Sequence, residues 1–269
     1  VKIKDFSGYD GEDKVISSYE LEALLDDDEH LFSVRSKIPA LDNLIDGFMP
    51  GELVVISGMT KNGKSLLAQT LTKNFVEQNF LSLWFTFELP PKRFMACFPE
   101  LPLIYMPKIL KSSNLQWVED RILESWQKYH TRIVFVDHLH YVVDIARQKN
   151  PSLEIGTVIR RLKLMAVREN LIIFMLCHTQ KPRKDMSKDD FGDPRDSSFV
   201  EQESDAALMV KRFPDISPNV ACIMVNQHRR TGVMREKVWV EKIGGYLVQT
   251  TTREIPGEKK KVKKYWEDD

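Results

Sequence analysis

Gly58-Met59-Thr60-Lys61-Asn62-Gly63-Lys64-Ser65 matches the phosphate-loop pattern G-x-x-x-x-G-K-[ST] at every required position. The apolar run Leu53-Val54-Val55-Ile56 precedes it, and Leu66, Leu67, Thr70, Leu71 and Phe75 follow at helical spacing. Strand, loop and helix in that order turn a string into a candidate site. Gly58 and Gly63 let the backbone turn tightly and aim N–H groups at phosphate oxygens. The first turn of the helix, through Ser65 and Leu66, adds free N–H groups and a positive dipole end. Lys64 is long enough to reach β- and γ-phosphates, and the Ser65 hydroxyl is a magnesium ligand. The run Gly58, Met59, Thr60, Lys61, Asn62, Gly63, Lys64, Ser65 and Leu66 is therefore the predicted binding segment for ATP with Mg2+.

Apolar runs on either side of the loop read as strands buried on both faces, the pattern of a parallel sheet. Leu81–Phe87 ends in Glu88, Ile133–Asp137 ends in an acid, and Leu171–Cys177 ends in His178. Polar groups at the C-terminal ends of such strands lie where α/β sheets place ligands. Asp137 after a phosphate loop fits a magnesium-holding carboxylate. His138 and His140 alternate just beyond it, but no Cys or further carboxylate has matching spacing, so the pair does not itself predict a metal. Asn114–Tyr129 and the stretch from Ile155 read as amphipathic helices, with Arg147–Glu154 as a loop before the second. Arg160, Arg161, Lys163 and Arg168 flank its apolar stripe, either as a solvated face or as a basic surface. Ala206–Lys211, Val220–Val225, Lys237–Glu241 and Tyr246–Gln249 read as late strands. Near the start, Ser17 or Ser18 caps a helix over Tyr19–Leu25 with Leu21, Leu24 and Leu25 as its stripe, ended by Asp26-Asp27-Asp28-Glu29.

The chain has 269 residues with 39 basic and 39 acidic side chains, so it carries no overall basic footprint. Nucleic-acid contact would have to come from local loops or from several subunits together. Cys97, Cys177 and Cys222 are scattered without metal spacing, which fits a reducing, cytosolic compartment. No apolar run is long enough to span a bilayer and no signal peptide is visible. The first residue is Val1 rather than Met, as in a processed protein or a piece of a longer one.

Ile38-Pro39-Ala40-Leu41-Asp42, Leu44-Ile45-Asp46-Gly47-Phe48 and Pro50-Gly51-Glu52-Leu53 together resemble the lead-in to the motor domain of DnaB-type replicative helicases, and less closely the RecA, RadA and KaiC relatives. Pro194-Arg195-Asp196-Ser197-Ser198-Phe199-Val200-Glu201-Gln202-Glu203-Ser204-Asp205 is similar to that family's signature, with Ser198 in place of the usual Gly. His178 to Lys184 resembles the matching stretch of phage primase-helicases and of Twinkle. The resemblance spans about Ile38 to Gln249. It implies a RecA-like α/β fold: a mostly parallel, twisted central sheet with helices on both faces and antiparallel edge strands.

The same resemblance implies roles. Glu88 would polarise the attacking water, Lys64 would carry phosphate charge, Ser65 and Asp137 would hold magnesium, and His178 would sense the γ-phosphate. Lys181, Arg183, Lys184, Lys188 and Arg195 would contact single-stranded DNA. Arg229 or Arg230 would reach the phosphate held by a neighbouring subunit, while Asn226 or Gln227 stands where the family has a lysine. Implied too are a homo-oligomer, a hexamer in the family; forked duplex DNA; travel in the 5′-to-3′ direction; and a primase or loader as partner. The setting would be cytoplasmic, in a nucleoid or a virus-infected cell, with an organelle matrix left open. The expected organisation is an arm with a linker helix over 1–33, a motor over 34–252 and a charged tail over 253–269. A RecA/RadA/KaiC-like ATPase in recombination or regulation, or a nucleotide-dependent loader or scaffold, stands as the alternative.

Overall fold

The structure, a computed structural model, describes residues 7–24, 32–111, 114–142, 151–178 and 203–250, without the side chains of 140 and 151–153. The chain divides into two compact units, 1–32 and 33–269. In the first, helix α1 (Ser18–Leu24) is capped by Ser17. The Ser17 hydroxyl accepts from the Glu20 backbone N–H, and the Glu20 carboxylate accepts from the Ser17 N–H, a reciprocal capping box. None of its residues is buried; Leu21 is 50% and Leu24 73% exposed. The acidic run expected to close it lies outside the described residues.

In the second unit helix α2 is Pro39–Ile45, β1 is Leu53–Gly58, β2 Ser82–Thr86, β3 Ile104–Tyr105, β4 Ile133–Asp137 and β5 Ile172–His178. The later strands are β6 (Ala206–Arg212), β7 (Val220–His228), β8 (Met234–Ile243) and β9 (Tyr246–Gln249). Among the described residues they form one nine-stranded sheet in the order β3-β2-β4-β5-β1-β6-β7-β8-β9. The first six positions in that order are parallel and the last three antiparallel. This is the expected α/β sheet with an antiparallel edge.

The apolar runs are continuous because each face has its own cover. Trp84, Phe135 and Phe174 are partners across β2, β4 and β5. Their rings stack at 4.5 and 4.7 Å. Helix α3 (Lys64–Val76) lays Phe75 on that ladder, 5.6 Å from Phe174. Thr72 accepts a hydrogen bond from the Trp84 indole N–H, so the buried ring keeps a polar partner. On the opposite face Val55, Phe85, Val134, Val136 and Ile173 pack with Val118 and Ile122 of α5 (Leu115–Tyr129) and with Ile159 and Leu162 of α6 (Pro151–Arg168). Each such side chain contributes roughly 1.5–3 kcal/mol by leaving water.

Two sequence boundaries move. Helix α6 starts at Pro151, so the second half of the loop expected over Arg147–Glu154 is helical. A proline needs no hydrogen-bonded N–H in the first turn, and Glu154 suits the positive end. Strands β7 and β8 run further than the apolar pattern showed, to His228 and from Met234. Backbone pairing at the antiparallel edge carries them past the apolar residues. Arg229, Arg230, Thr231 and Gly232 become the turn between them. β6 and β7 also slip: Ala207 pairs with Gln227 but Leu208 with Val225, leaving Asn226 as a bulge.

Candidate nucleotide-binding site

β1 delivers the chain into the loop and α3 begins at its far end. Gly63, at φ +99, is the N-cap of α3. Gly58 sits at φ +151, and a Cβ there would lie 2.5 Å from the Val210 carbonyl oxygen. Strand β6 thus presses on the loop, and only glycine fits beneath it.

Lys64 is folded back over the loop. Its Nζ donates to the carbonyls of Gly58 at 2.9 Å and Met59 at 3.1 Å, and lies 3.0 Å from His178 Nδ1. Ser65 Oγ donates to Asp137 Oδ2 at 3.4 Å. The sheet makes these meetings: Gly58 pairs with His178 across β1 and β5, and Thr86 pairs with Asp137 across β2 and β4. Glu88 follows β2 on the same edge. It does not cap the next helix, α4 (Pro91–Met95), whose N-cap is Pro90 without a side-chain bond.

Charge is concentrated here, with Lys64 and Asp137 buried and Glu88 exposed. Burial depresses the Lys64 ammonium, opposed by Asp137, Glu88 and Cys177. Burial first, and then the Glu88 charge, push the Asp137 carboxyl up to about 6, against the Ser65 hydrogen bond and Lys64. Ser65 and Asp137 offer two hard oxygen donors, and the buried carboxylate lacks a full counter-charge. That donor set fits a magnesium ion.

The raised carboxyl gives a testable sign. Between its ordinary 3.8 and about 6 the folded metal-free protein keeps a proton that the unfolded chain releases. Folding stability therefore falls as pH rises through that window and stays lower above it. Asp137→Asn should remove that component and leave the metal-free protein about 3 kcal/mol more stable than wild type at pH 8. Urea unfolding of both proteins at pH 4 and pH 8 checks this. A difference between them that is the same at both pH values would refute it.

A cavity of about 460 Å³ opens at this edge. Thr60, Lys61, Asn62, Gly63, Lys64, Ser65 and Leu66 line it, as do Glu88 and His178. Gly58 and Met59 do not line it; they hold Lys64 through their carbonyls. The far wall was missed by sequence reasoning: Arg212 ends β6, Asn219 immediately precedes β7 and Lys242 lies in β8. No local pattern marks them, because strand order alone brings β6 to β8 beside the loop. Arg212 is held there by its guanidinium on the Pro218 carbonyl at 2.6 Å.

The turn between β7 and β8 separates its two arginines. Arg230 donates from Nε to Glu52 at 3.1 Å and from its terminal nitrogen to the carbonyls of Ile45 and Gly47 at 2.7 and 2.8 Å. Burial raises the Glu52 carboxyl, but bonds from His228, the Met49 N–H and Arg230 outweigh it and hold the group below its ordinary range. Arg229 has an exposed side chain, while its backbone N–H donates to the Asp205 carbonyl at 2.8 Å. Neither arginine lines the cavity of its own chain.

Asp205, the last residue of the signature stretch that begins at Pro194, is tied to β1 and α6. Its carboxylate accepts from the Leu53 N–H at 2.8 Å and from Lys163 Nζ at 2.7 Å, and Lys163 also donates to the Gly51 carbonyl. Arg160 pairs with Glu203, Arg161 with Glu119 and Arg168 with Glu169. The basic flank of α6 is thus a solvated face whose arginines are paired with acids, while Lys163 is partly buried on Asp205. Lys181, Arg183, Lys184, Lys188 and Arg195 lie outside the described residues. Among the described residues no helix is long and apolar enough to cross a membrane.

Comparison with known proteins agrees with this geometry. Residues 103–242 match the model of the DnaB-like helicase C terminal domain. The replicative DNA helicase DnaB of Leifsonia xyli subsp. xyli is 22% identical over 257 residues, covering 81% of this chain and 56% of that protein. The DnaB of Rickettsia conorii is 21% identical over 228 residues, covering 68% of this chain and 46% of that one. The chain thus spans about half the length of the curated relatives it matches. A solved structure of an isolated ATPase domain superposes with a TM-score of 0.71 at 17% identity, over 86% of this chain and 95% of that one. A DnaB-like replicative helicase solved in a study of its interactions with primase superposes at 0.70 and 18% identity, over 86% and 66%. A sheet of this order, a phosphate loop at its centre and a family match over more than half the sequence lead to one conclusion: the chain belongs to the DnaB-like helicase C-terminal domain family.

Proposed function

We propose that this chain is the ATP-hydrolysing motor of a ring helicase, moving along single-stranded DNA and separating a forked duplex during replication. The observation that carries the reading is a division of the site. Lys64, Ser65, Asp137, Glu88 and His178 meet at one sheet edge, while the exposed Arg229 lies outside that cavity. A finger that does not line its own cavity suits hydrolysis between subunits, in a hexamer by family resemblance.

In this reading Lys64 leaves the Gly58 and Met59 carbonyls for the phosphates. Glu88 accepts a proton from the attacking water and orients it. His178 exchanges the Lys64 contact for one to the nucleotide, so loss of the phosphate is felt at the end of β5, immediately before residue 179. Ser65 and Asp137 would hold Mg2+, which supplies positive charge to the phosphates when bound. Arg229 of one subunit would stabilise transition-state charge in the next. Lys181, Arg183, Lys184, Lys188 and Arg195 would hold the DNA backbone electrostatically, largely without regard to sequence. Residues 1–33 would serve as an arm and linker, 34–252 as the motor and 253–269 as a tail. Primase or a loader is the proposed further partner, travel is 5′ to 3′, and the setting is the cytoplasm beside the nucleoid.

ATPase rate per chain against protein concentration, with and without single-stranded DNA, tests the reading. A steep rise with concentration that DNA amplifies is expected. A rate indifferent to both would overturn it and leave a self-contained ATPase.

A further inference from the structure

Three strand ends bring together residues that the sequence keeps far apart. Glu88 follows β2, His138 follows β4 and His178 ends β5, and these strands are neighbours in the sheet. One carboxylate oxygen and one nitrogen from each imidazole all lie within 4.8 Å of one another. The two imidazoles meet edge to face at 4.5 Å. His138 is backed by the Tyr141 ring at 4.9 Å, which stacks on Phe87 at 6.1 Å, so its plane is set from behind.

We propose that Glu88, His138 and His178 form a site for one borderline divalent transition metal, Zn2+ above all, separate from the Ser65–Asp137 pair that suits Mg2+. Two imidazoles and a carboxylate are the donors that zinc prefers over magnesium. Ligands about 2.0–2.1 Å from a tetrahedral ion stand roughly 3.3 Å apart, so modest side-chain rotation closes the set. Three protein ligands leave a further position open for water or a phosphate oxygen.

Occupancy has two consequences. His178 Nδ1 is 3.0 Å from Lys64 Nζ. A metal on Nδ1 displaces that ammonium directly. A metal on Nε2 forces the ring proton onto Nδ1, where it faces the ammonium. Either way, metal and Lys64 compete for His178. Glu88, once coordinated, is also withdrawn from water, so zinc inhibits hydrolysis; this second consequence rests on the proposed ATPase reading, whereas binding itself does not.

Cobalt is a visible probe for the site. Titrating the tag-free full chain with Co2+ should give d–d absorption saturating at one ion per chain and bleached by Zn2+. His138→Ala should weaken the binding by at least about tenfold, as loss of a metal-orienting group does. His138→Gln, which keeps a polar side chain of similar bulk, should do the same while circular dichroism shows the fold intact. No cobalt band in wild type, or equal binding by both His138 variants, overturns the site. In Mg2+-dependent ATPase assays at buffered free Zn2+, the ratio of rates without and with zinc should exceed about ten for wild type. That ratio should return to near one for His138→Ala. Metal binding with a wild-type ratio near one removes the inhibitory role and leaves the site. Metal binding with no ATPase activity at all counts against the motor reading instead.

Discussion

Arg229→Ala should lower the ATPase rate per chain by about a thousandfold or more, the range over which an arginine finger acts. Arg230→Ala should act on stability instead. The Arg230 guanidinium is tied to Glu52 and to two carbonyls, so its removal leaves a buried carboxylate without its cation and costs about 3 kcal/mol. Urea unfolding separates the two effects. A mixing experiment tests action between subunits: Arg229→Ala lacks the finger, and Lys64→Ala lacks the phosphate contact. Each should be nearly inactive alone, and equal mixtures should regain activity, because some interfaces then combine an intact loop with an intact finger. Near-normal activity of Arg229→Ala, or mixtures no better than either component, would end the trans-finger reading.

Glu88→Gln should slow hydrolysis by about 10²–10⁴-fold, the usual contribution of a positioned general base, while nucleotide binding persists. Single-turnover hydrolysis and fluorescent-nucleotide titration give the two readouts. The substitution has a second signature. The Glu88 charge is the next cause after burial of the raised Asp137 carboxyl, so removing it should bring that group down from about 6. The stability-versus-pH difference assigned to Asp137 should then shrink in the Glu88→Gln protein. A variant that hydrolyses ATP at the normal rate would mean that Glu88 is not the base.

The centre of the site was legible because each of its residues follows an apolar strand or opens a helix. Lys64, Ser65, Glu88, Asp137 and His178 stand at strand ends or at the start of α3, and a parallel sheet brings such ends to one edge whatever the details of packing. The wall made by Arg212, Asn219 and Lys242 was not legible. Those side chains reach the loop through the order β1-β6-β7-β8, which local pattern does not encode. The two arginines are adjacent in sequence, and the contacts of Arg230 with Ile45, Gly47 and Glu52 separate them only in three dimensions. The partners of Lys163 were hidden for the same reason. His138 drew attention in the sequence, but its two companions lie on other strands. The strand extensions at β7 and β8 were missed because backbone pairing, rather than apolar alternation, carries them.

One arrangement makes part of this chain exchangeable. His178 sits beside Gly58 at one end of β1, and Asp205 is bonded to Leu53 at the other. The six residues of β1 between them measure about 20 Å. The described chain therefore leaves β1's neighbourhood at His178 beside one end of that strand and is bonded to its other end at Asp205, and the nine-stranded ladder is formed among the described residues. Exchanging residues 179–202 for the matching stretch of a relative should therefore leave these nine strands paired, provided both attachment points are kept. Because Asp205 also accepts from the Arg229 backbone N–H, the second attachment point and the β7–β8 turn are joined by one hydrogen bond.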